Sequence, residues 1–237
     1  MPNRILWIDV FRGISILAMI IFHFAFDLMF FGFTKPNLIY QPDWQLFQRT
    51  IASSFLFLAG LSLFITHQAQ INWKSFFRRY GATTAFAILI SILTYFLFEA
   101  EMIRFGILHV ISASGLIGLF LLRLNSLSLV LLAFSIFLIN LLISKPLEDH
   151  NIWHWIIYTP KTPSSLDYRP IIPWIIPFIL GMASFQLFKK WGLLEYNYNI
   201  SFRELSLLSW LGRNSLIIYL LHQPILFAGF LLFLKLS

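Results

Sequence analysis

The sequence contains no cysteine. Disulfides, thiolate metal sites and cysteine nucleophiles are therefore excluded. Charge is nearly as scarce: 11% of the 237 residues are charged, whereas 59% are hydrophobic. A soluble domain averages about 25% charged and about 45–50% apolar residues, so this chain has too few polar groups to cover its surface in water. Intrinsic disorder is excluded for the same reason. No phosphate loop, metalloprotease helix or serine elbow occurs, and no internal repeat or low-complexity stretch is visible. What remains is an all-α polytopic transmembrane helix bundle. The formal charge of +7 comes from few residues, so its placement carries more information than its sum. In such chains basic residues report topology, and nucleic acid is not an expected partner.

The apolar runs predict about seven spans, at roughly 10–33, 44–66, 77–98, 103–122, 126–144, 171–188 and 211–234. The first is too long for a signal-peptide core and has no small-residue cleavage site, so it is expected to stay attached. Arg123-Leu124-Asn125-Ser126 joins the fourth and fifth spans as a tight hairpin. The segment Ile152–Tyr158 is rich in Trp and Tyr but too short to cross, which suits a stretch lying in the interface. Pro173 and Pro177 break backbone pairing near the start of the sixth span, tolerable where that backbone faces protein or water. Short loops leave no separate soluble domain, so one domain over 1–237 is expected.

Ten Lys and Arg residues fall on the N-terminal side: Arg4, Arg12, Lys74, Arg78, Arg79, Arg123, Lys189, Lys190, Arg203 and Arg213. Seven fall on the other: Lys35, Arg49, Arg104, Lys145, Lys161, Arg169 and Lys235. This bias places the N-terminus in the cytoplasm and the C-terminus outside.

Ionisable residues inside spans are costly and are functional candidates by default. At about 1.5 Å per residue, His23 lies roughly 20 Å from the inner face, and His222 roughly 16 Å. His109 lies roughly 9 Å from the outer end of the fourth span. Three spans thus bring an imidazole to the middle or outer half of the membrane. Asp27 follows His23 by one turn on the same face. Arg104 and the Asp167/Arg169 pair sit at the outer rim, where a substrate would meet them. Each has a bland alternative. A lone intramembrane histidine often only ties two helices together, and Asp27 can simply pair with Arg104 or a loop amide. His67, His150 and His154 carry little signal.

A second polar cluster lies at the inner face. Asp9, Arg12 and Gly13 share a side of the first helix, and Gly212-Arg213-Asn214-Ser215 opens the last span. The bland reading is an ion pair, Asp9 with Arg12 or Arg213. The functional reading is an anion site, because the arginine fork binds phosphate oxygens in pairs. Runs such as Leu58-Ala59-Gly60-Leu61-Ser62 and Ser112-Ala113-Ser114-Gly115 suit close helix packing.

Several segments together carry a family resemblance. They are Arg4–Gly13 running into Met19 and His23, Phe55–Ser62, and Ile103–His109. Further on come Asp167–Trp174 with Gly181-Met182, and Leu211–Pro224. In order and spacing the chain resembles the heparan-α-glucosaminide N-acetyltransferase catalytic-domain family of transmembrane acyltransferases, in its short bacterial form, over nearly its whole length. The resemblance implies a transfer of acetyl, or another short acyl group, from cytoplasmic acetyl-CoA to an extracytoplasmic glycan or lipid-linked sugar. It implies an integral protein of the bacterial inner membrane, in contact with lipid, and a homodimer is one assembly open to it. No metal is expected. On this reading Asp9, Arg12, Arg213 and Asn214 hold the CoA phosphates. Arg104, Asp167 and Arg169 meet the acceptor. His23, Asp27, His109 and His222 supply the chemistry: an imidazole as general base on a hydroxyl or amine, or as acyl carrier, with Asp27 orienting it. In the lysosomal relative the catalytic histidine follows the first helix, and an Asn matches His23. Here no His occurs between His23 and His67, so His23 is nominated by chemistry and depth.

Two other function classes fit the same residues. A proton-coupled transporter would use the intramembrane His and Asp as a relay and the proline-broken span as its site. A metal- or haem-binding protein would ligate through three histidines at one depth.

Overall fold

A computed structural model describes residues 5–142, 156–157, 165–194 and 203–236, with backbone only at 203 and 204. The interfacial stretch expected over 152–158 lies, apart from Ile156 and Ile157, outside the described residues, as do Arg4, Lys145, His150, His154 and Lys161. The described residues form helices and turns with no strand. In chain order the helices are α1 (Leu6–Phe30), α2 (Pro42–His67), α3 (Trp73–Leu97), α4 (Ile107–Leu121), α5 (Ser126–Leu142), α6 (Ile171–Lys190), α7 (Arg203–Arg213) and α8 (Ser215–Leu236). Short 3-10 turns stand at Leu38–Tyr40 and Glu99–Glu101. Five of them, α1, α2, α3, α6 and α8, are long and apolar enough to cross a membrane. The expected fourth and fifth spans appear as shorter apolar helices of 15 and 17 residues. Residues 103–106, expected within a span, are not helical. The last expected span is divided at Asn214, whose side-chain amide donates to the Trp210 carbonyl at 2.8 Å. Backbone bonds from Asn214 to Trp210 and from Ile218 to Asn214 carry the helical pairing across this turn.

The chain forms two compact units. The first holds residues 1–55 and 194–237, the second 56–193, so α2 contributes its first half to one and its second half to the other.

In the first unit, α1 packs on α7 and α8. The α1–α7 crossing is closed by two glycines placed reciprocally. A Cβ on Gly13 would strike the Leu208 carbonyl, and one on Gly212 would strike the Asp9 carbonyl. Only hydrogen fits at these two points, so backbones approach as closely as small-residue interfaces allow. Beside the crossing, Ile16, Met19, Phe22, Ile39 and Ile51 form a buried cluster packed by Trp44, Phe47, Ile218 and Tyr219. Ser15 and Ser54 share a hydrogen bond of 2.9 Å that ties α1 to α2. α1 ends in a Schellman motif: the Phe33 N–H reaches the Leu28 carbonyl at 2.8 Å, with Gly32 at φ 80°.

The second unit repeats the reciprocal-glycine device. Gly60 on α2 abuts the Phe178 carbonyl of α6, and Gly181 on α6 abuts the Phe57 carbonyl of α2. Leu56, Leu61, Leu129, Phe178, Ile179 and Met182 are buried here. Ser126 anchors α5 to α6 by donating to the Ala183 carbonyl at 2.7 Å, and Thr84 meets Ser112 at 2.6 Å between α3 and α4. Much of α3 and α8 presents exposed apolar side chains, such as Ile92 and Phe96 on one and Leu232 and Phe233 on the other. In water such surface would drive association; in a bilayer the acyl chains cover it.

Candidate active site

The seam between α1 and α8 carries three contacts, one turn apart along α1. The first is an imidazole pair: the His23 and His222 rings meet edge to face, with centroids 4.7 Å apart. The next pairs Asp27 with Gln223, whose Nε2 donates to Asp27 Oδ1 at 2.6 Å. The third is aromatic, with Phe31 and Phe227 centroids 4.9 Å apart. On α1 the residues 23, 27 and 31 share one face, as 223 and 227 do on α8, while His222 reaches His23 from the neighbouring position of α8.

The hydrogen bonds fix the state of His222. Its Nδ1 lies 2.7 Å from the Tyr219 carbonyl oxygen. A carbonyl can only accept, so Nδ1 carries the proton and Nε2 bears the lone pair. His222 is 8% exposed and Nε2 has no hydrogen-bond partner. Asp27 is fully buried, and its Oδ2 also has none. The third unpartnered acceptor in this seam is Gln223 Oε1. Three buried acceptors without donors are gathered on two adjoining helices, although buried polar atoms are nearly always satisfied.

His109 is held quite differently, in the second unit. The Gly106 N–H donates to its Nδ1 at 3.1 Å. The proton is then on Nε2, which faces Ser91 Oγ at 3.2 Å, and the Ser91 hydroxyl donates to the Ile103 carbonyl at 2.6 Å. Both ring nitrogens are engaged, and the chain of bonds fastens the 103–106 turn to α3. Asp167 accepts from the Ile107 N–H at 2.9 Å, a carboxylate placed on the first turn of α4 where the helix dipole favours it. Arg169 Nε lies 3.6 Å from Asp167 Oδ1, and its guanidinium lies over the Trp174 ring at 4.6 Å. Backbone bonds from Leu166 to Glu101 and from Arg169 to Phe105 complete this strap. Tyr168 is buried within it, and burial pushes its phenol up to about 12, so it stays neutral. Arg104 stands exposed on the turn before α4.

At the α1–α7 crossing, Asp9 pairs with Arg12 at 3.1 Å rather than with Arg213. Arg213 turns back on its own helix, donating to the Ser209 carbonyl at 3.2 Å and to Ser209 Oγ at 3.3 Å. Asn214 is occupied with Trp210.

The structure therefore joins His23, Asp27 and His222 in one seam. It gathers His109, Asp167 and Arg169 around one turn, and Asp9, Arg12, Arg213 and Asn214 around one helix crossing. Among the described residues, no group of three His, Asp or Glu side chains is placed to hold a metal ion. Asp27 takes Gln223 as its partner. Gln223 and Ser91 were missed from sequence. An amide directly after a buried histidine in an apolar run was the signal for Gln223; nothing distinguished Ser91 from other helix serines.

Five helices long and apolar enough to cross a membrane define an integral membrane protein, and imidazoles are buried against its helices. The model for the family "Heparan-alpha-glucosaminide N-acetyltransferase, catalytic" matches residues 4–224. The chain belongs to that family, and the membership makes it a transmembrane acyltransferase. No curated protein and no solved structure matches it.

Proposed function

We propose that the protein moves an acetyl, or other short acyl, group from cytoplasmic acyl-CoA to an extracytoplasmic sugar or glycan. On this reading it crosses the bacterial inner membrane about seven times with its N-terminus inside, and the chain 1–237 works as one domain. The observation that carries the proposal is His222: Nδ1–H is committed to the Tyr219 carbonyl, and Nε2 offers a buried lone pair beside His23.

In the reaction, His222 Nε2 takes the proton of the acceptor N–H or O–H as that atom attacks the thioester carbonyl. Collapse of the tetrahedral intermediate breaks the C–S bond. The CoA thiolate leaves and recovers the proton from the imidazolium. The products are acylated acceptor and CoA thiol. His23 packs on the base and completes the imidazole pair, and it is also the nearest second carrier if the acyl group rests on the enzyme. Arg12 and Arg213, with Asp9 and Asn214, form the rim where CoA phosphates would bind. His109, Asp167, Arg169 and Arg104 belong to the turn before α4, and the charged three are nominated to meet the acceptor.

The test exploits the missing cysteine. Thiol-reactive dyes see no protein thiol, so CoA release by the purified full-length protein is read without background. Acetyl-CoA should bind, and an acceptor should accelerate CoA release in the wild type but not in His222→Ala. Absence of binding and of release with any acceptor defeats the proposal. Substrate flux into liposomes without acyl donor would favour a transporter instead.

A further inference from the structure

Asp27 is fully buried, and its hydrogen bond comes from Gln223 Nε2 at 2.6 Å. Among the described residues no cation lies within ion-pair distance of it. A buried carboxyl with no counter-charge is held as the neutral acid, because a bare charge there costs more than a bound proton. That proton changes the count of unsatisfied atoms. Oδ1 is taken by Gln223 Nε2, so the O–H sits on Oδ2, which has no partner. A carboxylic acid and a primary amide are complementary, since each offers a donor and an acceptor along one planar edge. The Oδ2–H therefore answers Gln223 Oε1, the other unpartnered oxygen of the same two groups. With Asp27 neutral, His222 Nε2 is the acceptor of the seam that stays bare.

Gln223 directly follows His222, and Pro224 comes next, inside α8. Proline has no N–H, so the Leu220 carbonyl four residues earlier loses its helical partner. The turn that carries the imidazole is thus held weakly by its own backbone. The bond from Gln223 crosses to α1 and ties that turn to the face bearing His23, whose ring meets His222 at 4.7 Å. We propose that Asp27 and Gln223 form a neutral acid–amide clamp that positions His222, fixing the direction of Nε2 while leaving its lone pair bare. The inference rests on the acyltransferase reading with His222 as base. Both are positioning residues: they act through the turn that holds the base. What the reaction needs from Asp27 is a hydrogen-bonding edge and not a charge.

The experiment compares Asp27→Asn, Asp27→Leu and Gln223→Met in the full-length protein in nanodiscs. An amide at position 27 offers the same donor and acceptor as a neutral acid, whereas Leu and Met keep the bulk and lose the edge. Asp27→Leu and Gln223→Met should each lower kcat for acceptor-dependent CoA release about 10²-fold, the cost of an ångström-scale misplacement, with KM for acetyl-CoA unchanged. Asp27→Asn should restore most of what Asp27→Leu loses. Two readouts need no turnover. The infrared difference between wild type and Asp27→Asn should contain the carbonyl band of a protonated carboxyl at neutral pH, and Gln223→Met should shift that band. In nitrogen NMR spectra of labelled histidine, assigned with His222→Ala, the His222 ring signals should hold in Asp27→Asn and move in Gln223→Met. If Asp27→Leu does not fold, Gln223→Met carries the kinetic test and Asp27→Asn is compared with it. A carboxylate band from Asp27, a loss in Asp27→Asn as large as in Gln223→Met, full kcat in Gln223→Met, or His222 signals unmoved by that change would each overturn the proposal. A wild type that neither binds acetyl-CoA nor releases CoA sinks the acyltransferase reading, and the infrared and ring signals then decide the clamp by themselves.

Discussion

The α1–α8 seam and the α3–α4 corner each bury a histidine in an apolar helix, and they treat it in opposite ways. At the corner, His109 accepts from the Gly106 N–H and meets the Ser91 hydroxyl, which itself donates to Ile103. Every polar atom of the ring is spent on holding a turn. In the seam, one nitrogen of His222 is fixed by a carbonyl and the other is left bare beside a second imidazole. Both residues lie in apolar helices, so hydropathy does not distinguish them. The accounting of lone pairs does.

The largest expected effect lies in the seam. His222→Ala should lower acceptor-dependent CoA release by about 10²–10⁴-fold, the usual contribution of a general base, as read by thiol titration. A loss of the same size in His109→Ala, with its thermal stability intact, would break the contrast. Next comes the corner itself. His109→Ala leaves the Gly106 N–H and Ser91 without their partner, an expected loss of about 1–3 kcal/mol. Thermal unfolding in nanodiscs should register this, and an unchanged midpoint would show that the turn does not depend on the ring. Gly60→Ala separates hydrogen bonding from packing, because its Cβ meets the Phe178 carbonyl. Overpacking of this kind costs about 1–3 kcal/mol, and the same unfolding measurement checks it. The smallest effect belongs to Ser91→Ala. Hydrogen bonds between membrane helices average about 0.6 kcal/mol, so this variant should unfold only slightly early. In a double-mutant cycle it should couple to His109 and not to His222. Coupling to His222 would mean that the two regions do not work separately.

Much of this was legible in the residues. The charge fraction excluded a soluble chain, and the apolar runs located α1, α2, α3 and α6 to within a few residues. The motifs around Arg12-Gly13, Gly60, His109 and Arg213 pointed to the family that the family model then matched. The shortness of α4 was not legible, because Ile103–Gly106 is apolar enough to continue a span but is turned by bonds to Asp167 and His109, far apart in sequence or dependent on ring orientation. The turn at Asn214 was missed because the hydropathy of the last span runs through it, and backbone bonds from Asn214 to Trp210 and from Ile218 to Asn214 carry the helical pairing across it.

Sequence by itself determined the class of molecule, because the balance of apolar and charged groups follows from composition and dictates the solvent. It also determined which few ionisable side chains can do chemistry, because so few exist. Tertiary structure alone decided which of them are spent and which are available. A hydrogen bond consumes a specific lone pair or proton, and that pairing depends on the partner helix. Gln223 meets Asp27 across 196 positions of chain, and no spacing rule along one helix could have brought them together.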